Sequence, residues 1–451
     1  MTSVTKGSSA PILRATSYAP TNIACIKYWG KRDASLNLPI NSSVSITLDM
    51  DDLRTVTTVA ASSLFEQDRL WLNGNEENPA ENKRVQRVLR EIRKRVNEDI
   101  VVESDAGETI TVRADDLKTF GVHIISYNTF PTAAGLASSA SGYACMVHAL
   151  STLFKVQETY EGELTTIARQ GSGSACRSLY SGFVKWDMGS KEDGTDSIAV
   201  QVAKKEDWKD MEAIICVVSD KKKDVGSTGG MASSVKTSPL LKHRAECIVS
   251  QRLKEIETAY ANQDFETFGR ITMQDSNQFH ATCLDTFPPI FYMNDVSRAI
   301  VQLVHKYNEA CGKIVAAYTF DAGPNAVIFV EKPNVPTLLR ALLSSFPSNT
   351  DGRIVSSSDD AILNVAEAES SKINDDSENT FLNWSKNILG ARYLNTDSVK
   401  RFIHTRVGDG ASSANDAGSH LADESTGMPK EKYWLGQSLL KKKRDVVVKL
   451  G

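Results

Sequence analysis

The first half of the chain interleaves two hydrophobic periods. Val44–Leu48 (VSITL), Arg54–Val59 (RTVTTV) and Arg69–Leu72 (RLWL) are short runs of β-branched and aromatic residues, and they predict strands. Asn73-Gly74 then supplies tight-turn chemistry. Asn78-Pro79 followed by Glu81 predicts a helix start, with Asn as the cap and Pro in the first turn. Val85, Val88, Leu89, Ile92 and Val96 continue it at i, i+3, i+4 and i+7. The other face of that helix carries Lys83, Arg84, Arg87, Arg90, Arg93, Lys94 and Arg95, and reads mostly as solvated surface. Val122–Tyr127 predicts a strand, and after a Gly/Ser/Ala segment Tyr143, Met146, Val147, Leu150 and Phe154 share one helix face. Phe183–Trp186, Ile198–Val202 and the wholly apolar Ile214–Val218 predict further strands, with the polar KKEDWKD before the last as a domain boundary.

The second half opens on SDKKKDVGSTGGMASS, a predicted loop, and turns helical. Helices are expected from Pro239 to Tyr260, from Phe265 to about Phe279, and from an Asn294 cap to Cys311 with Gly312 as its stop. Ile314–Thr319 and Ala326–Val330 predict two strands around a tight turn. Residues 347–380 and 408–426 are rich in Ser, Asp, Asn and Gly and are expected as loops or insertions, and the closing KKKRDVVVKLG as a solvated tail.

Composition narrows the class. A chain of 451 residues buries a core without disulfides or a structural metal. Its net charge of −4 argues against a nucleic-acid binder, which would show a basic excess. Seven cysteines with no C-x-x-C pair favour free thiols in a reducing, cytoplasmic setting, and the scattered histidines give no zinc pattern. The N-terminus lacks the apolar stretch of a secretory signal. From Thr119 to Phe154 there is no Asp, Glu, Lys or Arg, but Asn128, Pro131 and several glycines break any membrane-spanning run.

Four motifs carry chemistry. Pro131-Thr-Ala-Ala-Gly135-Leu136-Ala137-Ser138-Ser139-Ala140 is a small-residue turn entering a helix, where free N–H groups and the positive dipole end suit a phosphate; it could equally be a helix-packing turn. It is neither a Walker loop nor a dinucleotide fingerprint. Arg169-Gln-Gly-Ser172-Gly-Ser174-Ala-Cys-Arg177 brings hydroxyls and backbone donors beside a guanidinium fork, which grips carboxylate or phosphate. Tyr318-Thr-Phe-Asp321-Ala-Gly-Pro-Asn325 sets a carboxylate at a turn, either as a simple turn residue or as a base or electrostatic group. Pro20 to Lys31 (PTNIACIKYWGK) gathers Asn22, Lys27, Tyr28 and Lys31, a set suited to a polyanion.

Together these stretches resemble the GHMP kinase superfamily, and within it the mevalonate diphosphate decarboxylases. APTNIACIKYWGKRD, FPTAAGLASSA, GSGSACRS, DSNQFHATCLDTFPPIFYMND and TFDAGPNAV carry the likeness, from about residue 16 to 345 and more loosely to about 430. The resemblance implies an α+β fold: an N-terminal domain like ribosomal protein S5 domain 2 (1–207, nucleotide-binding) and a ferredoxin-like α/β sandwich domain (208–430). A polar insertion at about 347–380 and a tail at 431–451 complete the expected layout. It implies ATP- and Mg²⁺-dependent decarboxylation of mevalonate 5-diphosphate to isopentenyl diphosphate in isoprenoid and sterol biosynthesis, by a cytoplasmic homodimer. By the same resemblance Gly135 to Ala140 sit on the ATP phosphates, with Ser139 the place for a metal carried by them. Asp321 is the catalytic carboxylate, Arg177 holds the substrate carboxylate near Asn22, and Lys27 serves the phosphoryl transfer. Tyr28, Lys31, Arg84, Ser172 and Ser174 surround the substrate and its diphosphate. The competing readings are a related kinase or monophosphate decarboxylase, and a non-catalytic sensor on the same fold; the presence of Asp321 and Arg177 counts against them.

Overall fold

A computed structural model of the chain describes residues 10–103, 109–130, 138–219, 223–346, 353–372, 398–414, 416–431 and 444–448. Its N-terminal body is built on a six-stranded sheet in the order Ser412–Ser413, Leu13–Pro20, Arg54–Ser62, Gly121–Asn128, Arg69–Leu72, Asn75–Glu77. All neighbours are antiparallel except Gly121–Asn128 with Arg69–Leu72. Helices Lys83–Lys94, Ser138–Leu153 and Glu163–Gly171 contribute to the core on one face, where Val59, Ala61, Val122 and Ile124 meet Val88, Leu89, Val147 and Leu150. Because strand side chains alternate, Val56, Ala60, Trp71, Ile125 and Tyr127 emerge on the other face, and there Leu421 and Ala422 cover them. The return stretch around 411–430 is thus no free loop. Ser412–Ser413 pairs with the first strand, and Leu421 and Ala422 are fully buried, so a stretch expected within the C-terminal domain packs on the N-terminal sheet.

The second six-stranded sheet runs Ala316–Phe320, Ala326–Glu331, Met211–Val217, Arg401–Arg406, Arg353–Ser357, Arg444–Val448. Helices Val249–Asn262, Phe265–Asp285, Asp295–Cys311 and Val335–Ser345 share its core, as does a four-stranded sheet (Ala199–Ala203, Phe183–Trp186, Ser43–Thr47, Asn22–Ile26). Trp208, inside the polar KKEDWKD, is buried against Phe183, Phe265 and Phe268, so this stretch is anchored rather than a loose linker.

Three further departures have physical causes. Asn78 caps only a short 3₁₀ turn, Pro79–Glu81; the α-helix starts at Lys83, where the Asn82 side chain accepts from the N–H groups of Arg84 and Val85. Within 347–380, expected as a loop or insertion, lie a strand (Arg353–Ser357) and a helix (Asp360–Lys372). The tail supplies Arg444–Val448 as that strand's antiparallel neighbour, and Ser356 Oγ donates to Asp445 at 2.5 Å. Among the described residues no helix is long and apolar enough to cross a membrane.

Candidate active site

The two bodies meet at a cleft of about 490 Å³ lined from both sides. Asn22, Lys27, Tyr28, Lys31, Arg84, Ser138, Ser139, Ser172, Ser174, Arg177 and Asp321 all line it. Ala140 does not; it is fully buried in the first turn of Ser138–Leu153. Gly135, Leu136 and Ala137 lie outside the described residues.

Lys27 follows directly on the strand Asn22–Ile26 and is almost wholly buried, yet its Nζ reaches Asp321 Oδ1 at 2.6 Å. Asp321 is one-third exposed at the turn between Ala316–Phe320 and Ala326–Glu331, so this carboxylate faces both an ammonium and the open cleft. Nearby His280 is buried, and its titration is pushed down to about 3 by that burial and then by Lys27, so the imidazole is neutral.

Arg177 is held by neutral groups only: Nε donates to Ser45 Oγ at 2.9 Å and Asn22 Oδ1 at 3.2 Å, and Nη1 to Ser43 Oγ at 2.6 Å. Asn22 is fixed in turn through Nδ2 to Ser174 O (3.0 Å) and Ser178 Oγ (2.8 Å). Burial lowers the guanidinium's pKa. No carboxylate of a described residue lies within ion-pair distance of it, and a buried cation in that condition calls for an anion.

The Gly/Ser motif needs its glycines for closeness. A Cβ on Gly173 would stand 2.7 Å from the Tyr28 ring, and one on Gly171 would stand 2.3 Å from the Tyr143 ring. Tyr28 is wedged between this loop and Trp186, with ring centroids 4.6 Å apart. Its hydroxyl is buried without a hydrogen-bond partner, and burial raises the phenol's pKa, leaving it a neutral donor. Ser172 and Ser139 hydroxyls meet at 3.1 Å, joining the motif to the N-terminus of Ser138–Leu153. Lys31 donates to Asn37 Oδ1 at 2.6 Å, and its pKa is pushed down to about 8 by burial and by Arg84 and Arg87.

Sequence reasoning missed part of the wall. Lys223, Gly226, Ser227 and Thr228 also line the cleft, at the start of Ser227–Thr237. Burial lowers Lys223, whose Nζ donates to Ala322 O at 2.8 Å beside Asp321. The signal was present in KDVGST, a glycine and hydroxyls before a helix, the same pattern read as a phosphate turn at 131–140. Trp29, Met231 and Phe279 add an apolar side. For a divalent cation the protein donors are few. Among the described residues no three His, Cys, Asp or Glu side chains group for a metal, and the cleft's one carboxylate already meets Lys27. Such an ion fits here only as a passenger on ligand phosphates.

Two helix N-termini, several cations without a carboxylate partner and a single carboxylate, set between two α+β bodies, suit phosphate-bearing ligands, and the fold is GHMP kinase-like. Residues 19–199 match the model of the diphosphomevalonate decarboxylase-like N-terminal domain, and residues 213–414 that of the mevalonate 5-diphosphate decarboxylase C-terminal domain. The chain belongs to the diphosphomevalonate decarboxylase family. It is 46% identical to the diphosphomevalonate decarboxylase of Ganoderma lucidum over 93% of this chain and 100% of that protein. The solved mevalonate diphosphate decarboxylase of Trypanosoma brucei superposes with a TM-score of 0.77 at 36% identity, covering 90% of this chain and 98% of that one. A structure of MDDEF in complex with MVAPP, AMPPCP and magnesium superposes with a TM-score of 0.66 at 27% identity, covering 90% and 100%.

Proposed function

We infer that this chain converts mevalonate 5-diphosphate and ATP to isopentenyl diphosphate, ADP, phosphate and CO₂. The observation that carries the reading is the Lys27–Asp321 pair at 2.6 Å, facing a cleft that also holds Arg177 without a carboxylate partner. Lys27 occupies Asp321 Oδ1, and the other oxygen accepts the hydrogen bond of the substrate's tertiary hydroxyl and takes its proton. The hydroxyl oxygen forms a bond to the γ-phosphorus as the bond from that phosphorus to ADP breaks. The tertiary C–O bond then cleaves, phosphate leaves, and the developing positive charge faces the Asp321 side chain. Arg177 holds the carboxylate so that the C–C bonding pair becomes the new double bond and CO₂ departs.

Lys31, Arg84, Tyr28, Ser172 and Ser174 hold the substrate diphosphate, while Ser138 and Ser139, with the preceding Gly135, Leu136 and Ala137, hold the ATP phosphates. A magnesium ion carried on the ATP phosphates would supply charge neutralisation there, and Ser139 Oγ is the protein atom that would stand beside it. The residue roles rest on position in the cleft and on the resemblance of the motifs. We place the domain division at 207/208. The active form we propose is a cytoplasmic homodimer serving sterol and isoprenoid synthesis, a state that sedimentation of the purified protein tests.

The decisive assay supplies mevalonate 5-diphosphate with ATP and measures CO₂ and ADP together. Equal yields support the reading, and ADP without CO₂ would leave only a kinase. Asp321→Asn should abolish both products while ATP-analogue affinity stays within about threefold; a fully active variant removes Asp321 from the chemistry.

A further inference from the structure

Behind the Lys27–Asp321 pair lies a buried ion cluster that the scheme above does not use. Asp275, in the helix Phe265–Asp285, is completely excluded from solvent, as is Arg244. Arg244 grips it bidentately, Nη1 to Oδ1 at 2.7 Å and Nη2 to Oδ2 at 2.8 Å, and Arg252 Nη1 adds a bond to Oδ1 at 3.0 Å. The cluster then reaches across to the N-terminal part of the chain. Asp275 Oδ2 accepts the backbone N–H of Lys27 at 2.7 Å, and Arg244 Nη2 donates to the Lys27 carbonyl at 3.1 Å, which Asn41 Nδ2 also bonds at 3.1 Å.

The location explains the need. The strand before Lys27 ends at Ile26, so the ladder no longer satisfies the next peptide groups, although they are buried. An unpaired buried N–H or C=O costs about 1–3 kcal/mol. One hydroxyl or amide could satisfy each group. An ion cluster is an expensive way to do so, since desolvating each charge costs several kcal/mol, and well-packed apolar groups often serve stability as well. What the cluster adds is rigidity: a planar fork and a carboxylate fix both peptide groups of one residue from a separate helix layer. Arg244 itself begins a π-helical stretch, Arg244–Ile248, between Pro239–His243 and Val249–Asn262, a distortion that recurs at functional positions.

We propose that Asp275 and Arg244 are positioning residues for the decarboxylation, clamping the Lys27 backbone so that its ammonium meets Asp321. The proposal rests on the reading that Lys27 and Asp321 carry the chemistry. Neither Asp275 nor Arg244 lines the cleft, so both act only through Lys27.

The test compares Asp275→Asn, Arg244→Lys, Lys27→Met and the double variant Asp275→Asn/Lys27→Met, with kcat expressed per folded active site. Asp275→Asn should lose about 10²-fold in kcat, the scale of an ångström of misplacement. KM for both substrates and the affinity for a non-hydrolysable ATP analogue should stay within about threefold. Arg244→Lys keeps the charge but not the fork, and should lose less than Asp275→Asn. The double variant should be no slower than Lys27→Met, because a clamp has nothing left to position. Glu163→Gln removes the partner of Arg95 in the other core and serves as the stability control: it should lower the unfolding midpoint and leave kcat unchanged. Unchanged kcat in Asp275→Asn and Arg244→Lys, or a double variant slowed by the product of the single effects, overturns the proposal. If Asp275→Asn does not fold, Arg244→Lys decides. A fully active Lys27→Met would instead overturn the underlying reading.

Discussion

Lys31 gives a pH dependence that can be worked in advance. Its ammonium bonds only Asn37 Oδ1, and Asn37 is itself pinned by Nδ2 to the carbonyls of Arg169 and Gln170, each at 3.0 Å. The charged groups bearing on it are Arg84 and Arg87, both cations, and with burial they push it down to about 8. The ammonium is therefore less stable here than in water but still predominates below pH 8, and the positive charge is lost as pH rises through 8. An arriving diphosphate reverses the balance and restores the charge. Free-protein ionisation shows in kcat/KM. If only the ammonium form captures substrate, kcat/KM for mevalonate 5-diphosphate falls to about one-tenth of its plateau at pH 9, while kcat at saturation stays flatter. Lys31→Arg carries a charge that persists past pH 10 and should move the alkaline limb beyond the measured range, whatever it does to the plateau. Lys31→Met should lower the plateau and abolish the limb. Initial rates of CO₂ release from pH 6 to 10 at saturating ATP provide the measurement. An alkaline limb near pH 8 that persists in both variants refutes the assignment.

Three other outcomes follow from the same geometry. Arg177→Gln should cut CO₂ release by about 10²-fold or more and leave ATP-analogue binding unchanged, since its proposed contact is with the substrate carboxylate; isotopically labelled substrate separates the two effects. Gly173→Ala should cost about 1–3 kcal/mol and raise KM for the diphosphate substrate, because its Cβ meets a Tyr28 ring that Trp186 backs; calorimetry showing no loss of stability would mean the loop has room to move. Ending the chain after residue 443 should lower the unfolding midpoint and promote aggregation in light scattering, since it bares the edge of the strand Arg353–Ser357.

Local signals made much of the scaffold legible. The helix Asp295–Cys311 was readable at both ends because Asn294 and Gly312 do their capping within one turn, with Gly312 at positive φ. The start at Lys83 was misread because two asparagines four residues apart offer the same cap, and only the packed position of Val85 and Val88 chooses Asn82. The strand Arg444–Val448 could not be read from its own residues: its partner lies some 90 positions earlier, and its basic flank resembles a tail. The cleft shows the same division. Most of its polar residues stood in compact motifs that the resemblance tied together, whereas Lys223, Ser227 and Thr228 stood in a stretch read only as a loop. The clamp under Lys27 needs Arg244 and Asp275, each an ordinary charged residue of a helical segment until folding brings them to the same backbone.

The return stretch at 411–430 has a consequence for synthesis. The strand Leu13–Pro20 and the face bearing Val56 and Ile125 are made well before Ser412, Leu421 and Ala422, which close them. About 280 residues separate Asn128, the end of the central strands, from Ser412, so at 5–20 residues per second the nascent sheet waits roughly 15–60 s for its cover. Through that interval the growing chain presents an open β-edge and an apolar face to the crowded surroundings of the ribosome.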